Sequence, residues 1–274
     1  SAVLSILFSG NTWVPLSEKN PEMRNLELIK DLKPNILITD LELSALSLKK
    51  LKSYKVEILK FSDLFNITVA KQPIGLNVRP TDISMIYFTS GSSGKPKGVR
   101  IKHESFVQNV NNIIAITKTE GRRFGDFHDL SFVISIPILF TCIMSQGNIF
   151  CANSDLDILL PSNAILKFDV DFLITVPSTL SRIVESVDFL NVCSRLKTVI
   201  SCGEPLKFET LKSFLDNSNL SFYNFYGSTE VAPWIFFHRC DQKTLEFSKV
   251  HNFVPIGKLI SGNEMALDDQ GMLL

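Results

Sequence analysis

The run Thr89-Ser90-Gly91-Ser92-Ser93-Gly94-Lys95-Pro96-Lys97-Gly98-Val99 gathers hydroxyl side chains, glycines and two lysines in one short stretch. Those residue types suit an anion, and a phosphate in particular. Glycine lets backbone N–H groups turn through positive φ and approach closely, Ser and Thr add donors, and Lys95 and Lys97 add charge. An apolar, β-prone run, Ile83–Phe88, comes before it, and a helix-like segment from His103 to Ile116 comes after. The expected frame is therefore strand, loop, helix, with donors aimed at a phosphate. A flexible Ser/Gly surface turn is the bland alternative. The Walker loop is excluded by spacing: it needs Gly, four residues, then Gly-Lys-Ser/Thr, whereas here Pro96 follows Gly94-Lys95 and Thr89 occupies the first glycine's place.

A second candidate lies at Phe222-Tyr223-Asn224-Phe225-Tyr226-Gly227-Ser228-Thr229-Glu230, a β-prone run ending in Gly-Ser-Thr with a carboxylate directly after it. Such a strand end offers hydroxyls and N–H groups to a phosphate, and Glu230 has the hard oxygen donors that suit Mg²⁺. A plain turn with Glu230 solvated is the alternative. Ser201-Cys202-Gly203-Glu204-Pro205-Leu206 is a third stretch, where Gly203 permits close backbone approach; taken alone, it also fits an ordinary strand-to-helix turn. Near the end of the sequence, Pro255-Ile256-Gly257-Lys258 and Ala266–Gly271 read as hairpin material.

The elements that must position these residues alternate. Ser1–Phe8 reads as an apolar helix end, Asn11–Leu16 as a short strand, Pro21–Leu32 as a helix opened by its proline, and Asn35–Asp40 as a buried strand. A helix over Leu41–Lys52 and a strand over Val56–Lys60 follow. Beyond the first candidate loop come strands at Asn148–Cys151, Asp171–Val176, Thr198–Ser201 and Ser221–Tyr226. Helices at Pro161–Lys167, Ser178–Val187 (Ser178 as N-cap) and Phe208–Leu215 separate them. That order predicts βαβ units, and hence an α/β fold of layered subdomains with mostly parallel sheets.

Composition narrows the class further. The 274 residues are 45% hydrophobic and 20% charged, with 28 Lys+Arg against 28 Asp+Glu, so the formal net charge is zero. Nothing in that balance points to a nucleic acid or a membrane surface. The apolar run Leu130–Met144 contains Pro137 and is shorter than the ~20 residues a spanning helix needs, so it reads as a buried strand passing into a helix. Five cysteines without metal-type pairing fit a reducing, cytoplasmic setting. The sequence opens on Ser1 inside a helical pattern and closes inside a strand-like one, which suggests a fragment of a longer protein.

The loop at 89–99 resembles the phosphate-binding loop of the adenylate-forming superfamily, whose members include acyl-CoA synthetases, firefly-type luciferases and the adenylation domains of nonribosomal peptide synthetases. Its pattern, Thr-Ser-Gly-Ser-Ser/Thr-Gly-x-Pro-Lys-Gly-Val/Ile, is met at every fixed position. The stretch Asn224–Glu230 resembles the family's Asn-x-Tyr-Gly-Pro/Ser-Thr-Glu segment, Ser201–Leu206 its Gly-Gly-Glu loop, Trp13–Arg24 its Tyr-Val-Pro-Leu segment, and Pro255–Gly271 the start of its last N-terminal subdomain. The signatures occur in the family's order. By this resemblance, residues 1–254 form the αβ core of an adenylation domain and 255–274 begin a β-rich subdomain. The nucleotide falls to Thr89, Ser90, Gly91, Ser92, Ser93, Gly94, Lys97, Gly203, Glu204, Pro205, Asn224, Phe225, Tyr226, Gly227, Ser228 and Thr229. Thr229, Glu230 and Lys97 take the catalytic roles, with Mg²⁺ on Glu230 and Tyr226 near the adenine.

The resemblance also bears on the substrate. Amino-acid-activating members carry Phe-Asp-x-Ser, whose aspartate pairs with the substrate ammonium. One register places His128-Asp129-Leu130-Ser131 there and keeps an aspartate. The other places Phe132-Val133-Ile134-Ser135 there, fits the spacing to Gly147 better, and puts Val133 at the aspartate's position. A third alignment makes His128 the gating histidine of acyl-CoA synthetases. The second register is preferred, and it implies an apolar pocket of Val133, Ile200, Cys202, Phe225 and Trp234 and either an acid without an α-ammonium or an unusual amino acid held otherwise. For Asp129, His128 and His103, ordinary structural roles compete with chemical ones.

The implied reaction is attack of a substrate carboxylate on ATP, giving acyl-adenylate and pyrophosphate, then transfer to CoA or a phosphopantetheinyl carrier protein. The family's ribose-binding aspartate, hinge and C-terminal lid domain with its lysine do not occur in this sequence, so poor activity of the isolated chain is expected. A degenerate, non-catalytic nucleotide-binding domain and a phosphoryl-transfer enzyme of another fold are the rival readings.

Overall fold

A computed structural model describes residues 2–64, 77–90 and 96–270, and the chain divides into two compact units, Ser1–Arg100 and Ile101–Leu274. The expected loop residues Gly91, Ser92, Ser93, Gly94 and Lys95 lie outside the described residues, as does the side chain of Ser90.

In the first unit, helix Glu22–Leu32 and helix Ala45–Ser53 pack beside two parallel strands, β1 (Ile36–Ile38) and β2 (Glu57–Leu59). Leu26, Ile29, Leu51 and Val56 form the core, since apolar residues at helical spacing share one face. Ser44 caps the second helix by accepting from Ser47 N–H. The expected strand at Asn11–Leu16 reduces to one bridge, Trp13 against Met85, because Pro15 interrupts the ladder. The same unit holds a two-stranded sheet of β3 (Ile83–Ser90) and β4 (Pro96–Lys102).

The second unit is built on a seven-stranded sheet. Its strands are β5 (Arg123–Asp126), β6 (Asn148–Cys151), β7 (Phe172–Thr175), β8 (Thr198–Ser201), β9 (Ser221–Tyr226), β10 (Phe236–Cys240) and β11 (Lys258–Leu259). The order across the sheet is β11-β10-β9-β8-β7-β5-β6, with β6 through β9 parallel and β10 and β11 antiparallel at one edge. The sequence expectation of a mostly parallel α/β sheet is met. Helices joining parallel strands cover both faces, so the central strands β7 and β8 are buried along their whole length.

Alternation along the strands separates the faces. Leu173, Val199 and Phe222 point toward helices Pro161–Lys167, Pro177–Val184, Phe189–Arg195, Phe208–Asn217 and Gln242–His251, packing with Ile165, Leu180, Val192, Leu211, Phe214 and Leu245. Tyr223 points the other way and donates its hydroxyl to Ile116 O in helix His103–Thr117. That helix buries Phe106, Val110 and Ile113. Leu130–Met144 is not a strand running into a helix. It is a turn followed by helix Ser135–Met144, the strand having ended at Asp126.

Candidate adenylate-forming site

The carboxyl ends of β7, β8 and β9 bring several expected residues together. Ile174, Ile200 and Tyr223 are register partners on the face under helix His103–Thr117. Ile200 and Cys202 are fully buried, Phe225 and Trp234 are buried beside them, and Val133 is buried in the turn before helix Ser135–Met144. The rings of Phe225 and Trp234 meet edge to face at 5.8 Å. Trp234 N–H lies on the Cys202 thiol, while burial pushes that thiol up to about 12. All five side chains are buried.

Gly203 turns at φ +83, and a side chain there would stand 3.3 Å from Val176 and 3.6 Å from Ile134. The turn is fixed from outside. Glu204 accepts from both Ser178 N–H at 3.0 Å and Ser178 Oγ at 3.1 Å. Ser178 therefore does not cap its helix as the sequence suggested. Pro177 takes the first helical position, Val176 becomes the N-cap, and the distant Glu204 supplies the acceptor. Pro205 is exposed.

Beyond β9 the chain turns sharply. Tyr226 is 43% exposed and Glu230 is exposed; Gly227 and Thr229 are half-buried, and Thr229–Val231 forms one 3₁₀ turn. Gly227 is required sterically, because an added Cβ would lie 2.0 Å from Pro233 O. Ser228 is exposed, with extended backbone. Asn224 is buried and donates its amide to Val254 O and to Pro255 O, the latter at 3.0 Å, so its side chain ties β9 to the strand-to-strand connection.

The first signature sits differently from expectation. Thr89 lies half-buried near the end of β3, and Lys97 is exposed on β4. The loop joins two strands and does not enter helix His103–Thr117 directly, because Pro96–Lys102 pairs as β4 in between.

Before the Phe-Val-Ile-Ser stretch, Asp129 Oδ1 accepts from Ser131 N–H at 2.9 Å, which shapes the turn. His128 Nδ1 lies 3.0 Å from Asp126 Oδ1, a partner not singled out from sequence; its signal was only the two-residue spacing at a strand end. His103 opens its helix, consistent with a structural position.

A cation fit can be judged from donors. No group of three or more His, Cys, Asp or Glu able to hold a metal occurs among the described residues. Glu230 has no hydrogen bond or ion pair among them. One free carboxylate fits Mg²⁺ that takes its remaining oxygens from phosphates and water.

A family model described as AMP-binding enzyme matches residues 1–273. The chain belongs to the AMP-binding enzyme family. Among curated relatives, it is 27% identical over 242 residues to a nonribosomal peptide synthetase of Aspergillus rugulosus, covering 84% of this chain and 3% of that protein. It is 25% identical to the D-alanine–D-alanyl carrier protein ligase of Staphylococcus epidermidis, covering 99% of this chain and 55% of that protein. The chain thus spans about half or less of these AMP-binding relatives. Its fold matches the Vibrio cholerae adenylation domain AlmE in complex with glycyl-adenosine-5′-phosphate, with TM-score 0.80 at 19% identity, covering 100% of this chain and 55% of that one. The Bacillus subtilis O-succinylbenzoate coenzyme A synthetase, solved with ATP and magnesium, matches with TM-score 0.78 at 19% identity, covering 100% and 55%. The fold is that of the N-terminal domain of adenylate-forming enzymes. No helix among the described residues is long and apolar enough to cross a membrane.

Proposed function

We propose that this chain is the nucleotide-activating part of an acid ligase. A carboxylate oxygen forms a bond to the α-phosphorus of ATP, the bond from that phosphorus to the bridging oxygen breaks, and pyrophosphate leaves with its electron pair. In the full protein the acyl group then passes to a thiol of CoA or of a phosphopantetheinyl carrier protein.

The observation that carries this reading is the Tyr226–Glu230 turn at the carboxyl end of β9, inside a chain matched over nearly its whole length by the AMP-binding family. Ligands of open parallel sheets bind at that end. The work asked of the residues is positioning and neutralisation of charge, without an acid–base residue. Thr229 holds the α-phosphate with its hydroxyl. The Thr89–Lys97 stretch, with the Lys97 ammonium, holds the departing phosphates. Tyr226, exposed on one side, offers a ring face to the adenine, and Gly203, Glu204 and Pro205 form its other boundary. Glu230 holds Mg²⁺, which when bound neutralises charge on the phosphates. The apolar surface of Val133, Ile200, Cys202, Phe225 and Trp234 receives the acyl part. Two similar proteins support the class: the Staphylococcus epidermidis relative is a D-alanine–D-alanyl carrier protein ligase, and the Bacillus subtilis synthetase was solved with ATP and magnesium.

ATP–pyrophosphate exchange by the full-length protein tests the proposal, using a panel of amino, aryl and fatty acids. Exchange with one acid class and a loss of about 10²–10³-fold in Glu230→Gln support it. ATP binding without exchange favours a degenerate nucleotide-binding domain, and ADP as product favours a phosphoryl-transfer enzyme.

A further inference from the structure

The mechanism above makes no use of the Asp126–His128 pair. Asp126 ends β5, and its Oδ1 accepts from the backbone N–H of His128 at 3.0 Å and faces His128 Nδ1 at 3.0 Å. The two side chains are only 5% and 7% exposed. His128 Nε2 is buried and has no hydrogen-bond partner among the described residues. A carboxylate at Nδ1 selects the tautomer with its proton there, which leaves the lone pair of Nε2 as an acceptor. A buried acceptor without a donor is uncommon and calls for an explanation.

Its location supplies one. The β5–β7 register pairs Gly125 with Leu173, so alternation puts the side chain of Asp126, the next residue, on the opposite face, the one that Ile200 and Tyr223 share. Asp126 therefore shares the face and the carboxyl-end side of the sheet with Ile200, and His128 stays beside it through the 3.0 Å contact of Nδ1. Phe132 links the two regions: its ring centroid is 5.6 Å from that of His128, and its tip is 4.0 Å from the position of a Cβ on Gly203. Val133, beside Phe132, is apolar and supplies no polar anchor.

We propose that Asp126 and His128 form the polar anchor of the acid-binding pocket, with His128 Nε2 accepting a hydrogen bond from a hydroxyl or ammonium group on the substrate. The inference rests on the acid-adenylation reading and names the class of acid: one that carries a hydrogen-bond donor on its acyl part. Asp126 is a positioning residue that fixes the tautomer and the ring plane.

The test is ATP–pyrophosphate exchange by the full-length protein with matched acids that share one carbon skeleton and carry a hydroxyl, an ammonium or a hydrogen at the same carbon. The expected result is a kcat/KM at least about tenfold higher for one donor-bearing acid than for its unsubstituted twin, because a site built around a polar group rejects ligands that leave it unpaired. Which donor wins separates hydroxy acids from amino acids. His128→Leu should bring the donor-bearing acid down to its twin, chiefly through KM. His128→Gln, which keeps a polar atom near the Nε2 position, should retain part of the preference. Equal values in the wild type, or an undiminished preference in His128→Leu, overturn the anchor while the exchange itself upholds adenylation. The wild-type comparison decides even if His128→Leu does not fold. No exchange with any acid overturns the adenylation reading and this inference with it.

Discussion

Gly227→Ala should be one of the most disruptive single-methyl changes in this chain. β9 ends at Tyr226, and the chain returns as β10, with Ile235 N–H donating to Tyr226 O at 3.0 Å. This return lays the backbone of Pro233 and Trp234 directly against residue 227. A Cβ there would be 2.0 Å from Pro233 O and 2.8 Å from Trp234 Cα. Both contacts are with backbone, so no side-chain rotation relieves them, and Trp234 is buried at 2% exposure. Overpacking at rigid sites costs about 1–3 kcal/mol, and the upper end applies here. For a unit of this size each kcal/mol lowers Tm by about 2–4 °C, which gives a fall of about 6–12 °C. Gly121→Ala is the control: φ is +66 there, but no atom lies within 4 Å, so only the left-handed conformation is penalised, at about 1–2 kcal/mol. Thermal unfolding of the two variants by circular dichroism measures the difference. A Gly227→Ala variant within 1–2 °C of wild type, or less affected than Gly121→Ala, would refute the steric argument.

Three other outcomes follow from the structure. Asn224→Ala leaves the carbonyls of Val254 and Pro255 without their donor, and should cost about 1–3 kcal/mol in urea unfolding. Asp241 caps helix Gln242–His251, and its hydrogen bonds from the backbone and hydroxyl of Thr244 hold its carboxyl below the ordinary 3.8. A depressed carboxylate contributes stability that is complete above the unfolded value and lost as pH falls through the folded one. The acid limb below about pH 4 should therefore flatten in Asp241→Asn, as pH-dependent melting will show. Burial pushes the thiols of Cys142 and Cys193 up to about 11 and that of Cys202 to about 12; burial raises Cys151 as well, but its side chain is the exposed one of the four. Maleimide labelling of the native chain at neutral pH should modify Cys151 first, as peptide mapping will show.

The local pattern foretold those elements whose residues carry their own signal. β8 and β9 begin and end where the apolar runs do, and helix Pro161–Lys167 opens at its proline. What depended on distant partners was not legible. The segment Pro96–Lys102 is a strand only because β3 lies beside it, and the expected strand around Trp13 is cut to a single bridge. Ser178 looked like a cap, but the acceptor at that helix start comes from Glu204, far along the sequence. At the candidate site, Tyr226 and Glu230 are exposed and Thr229 is half-buried in the turn after β9. Asn224 carries a second burden, tying the strand to the 254–255 connection, that the motif did not disclose. The partnership of Asp126 with His128 depends on the chain's path past the end of β5, which residue types alone do not specify.

Attack of a carboxylate on the α-phosphorus of ATP leaves an isotopic record. Full-length protein given its acid with both carboxylate oxygens replaced by oxygen-18 tests it directly. The expected product is AMP carrying one labelled oxygen, because the carboxylate oxygen bonded to phosphorus leaves with AMP when the acyl group is transferred. Unlabelled AMP, or ADP with label in inorganic phosphate, would contradict it.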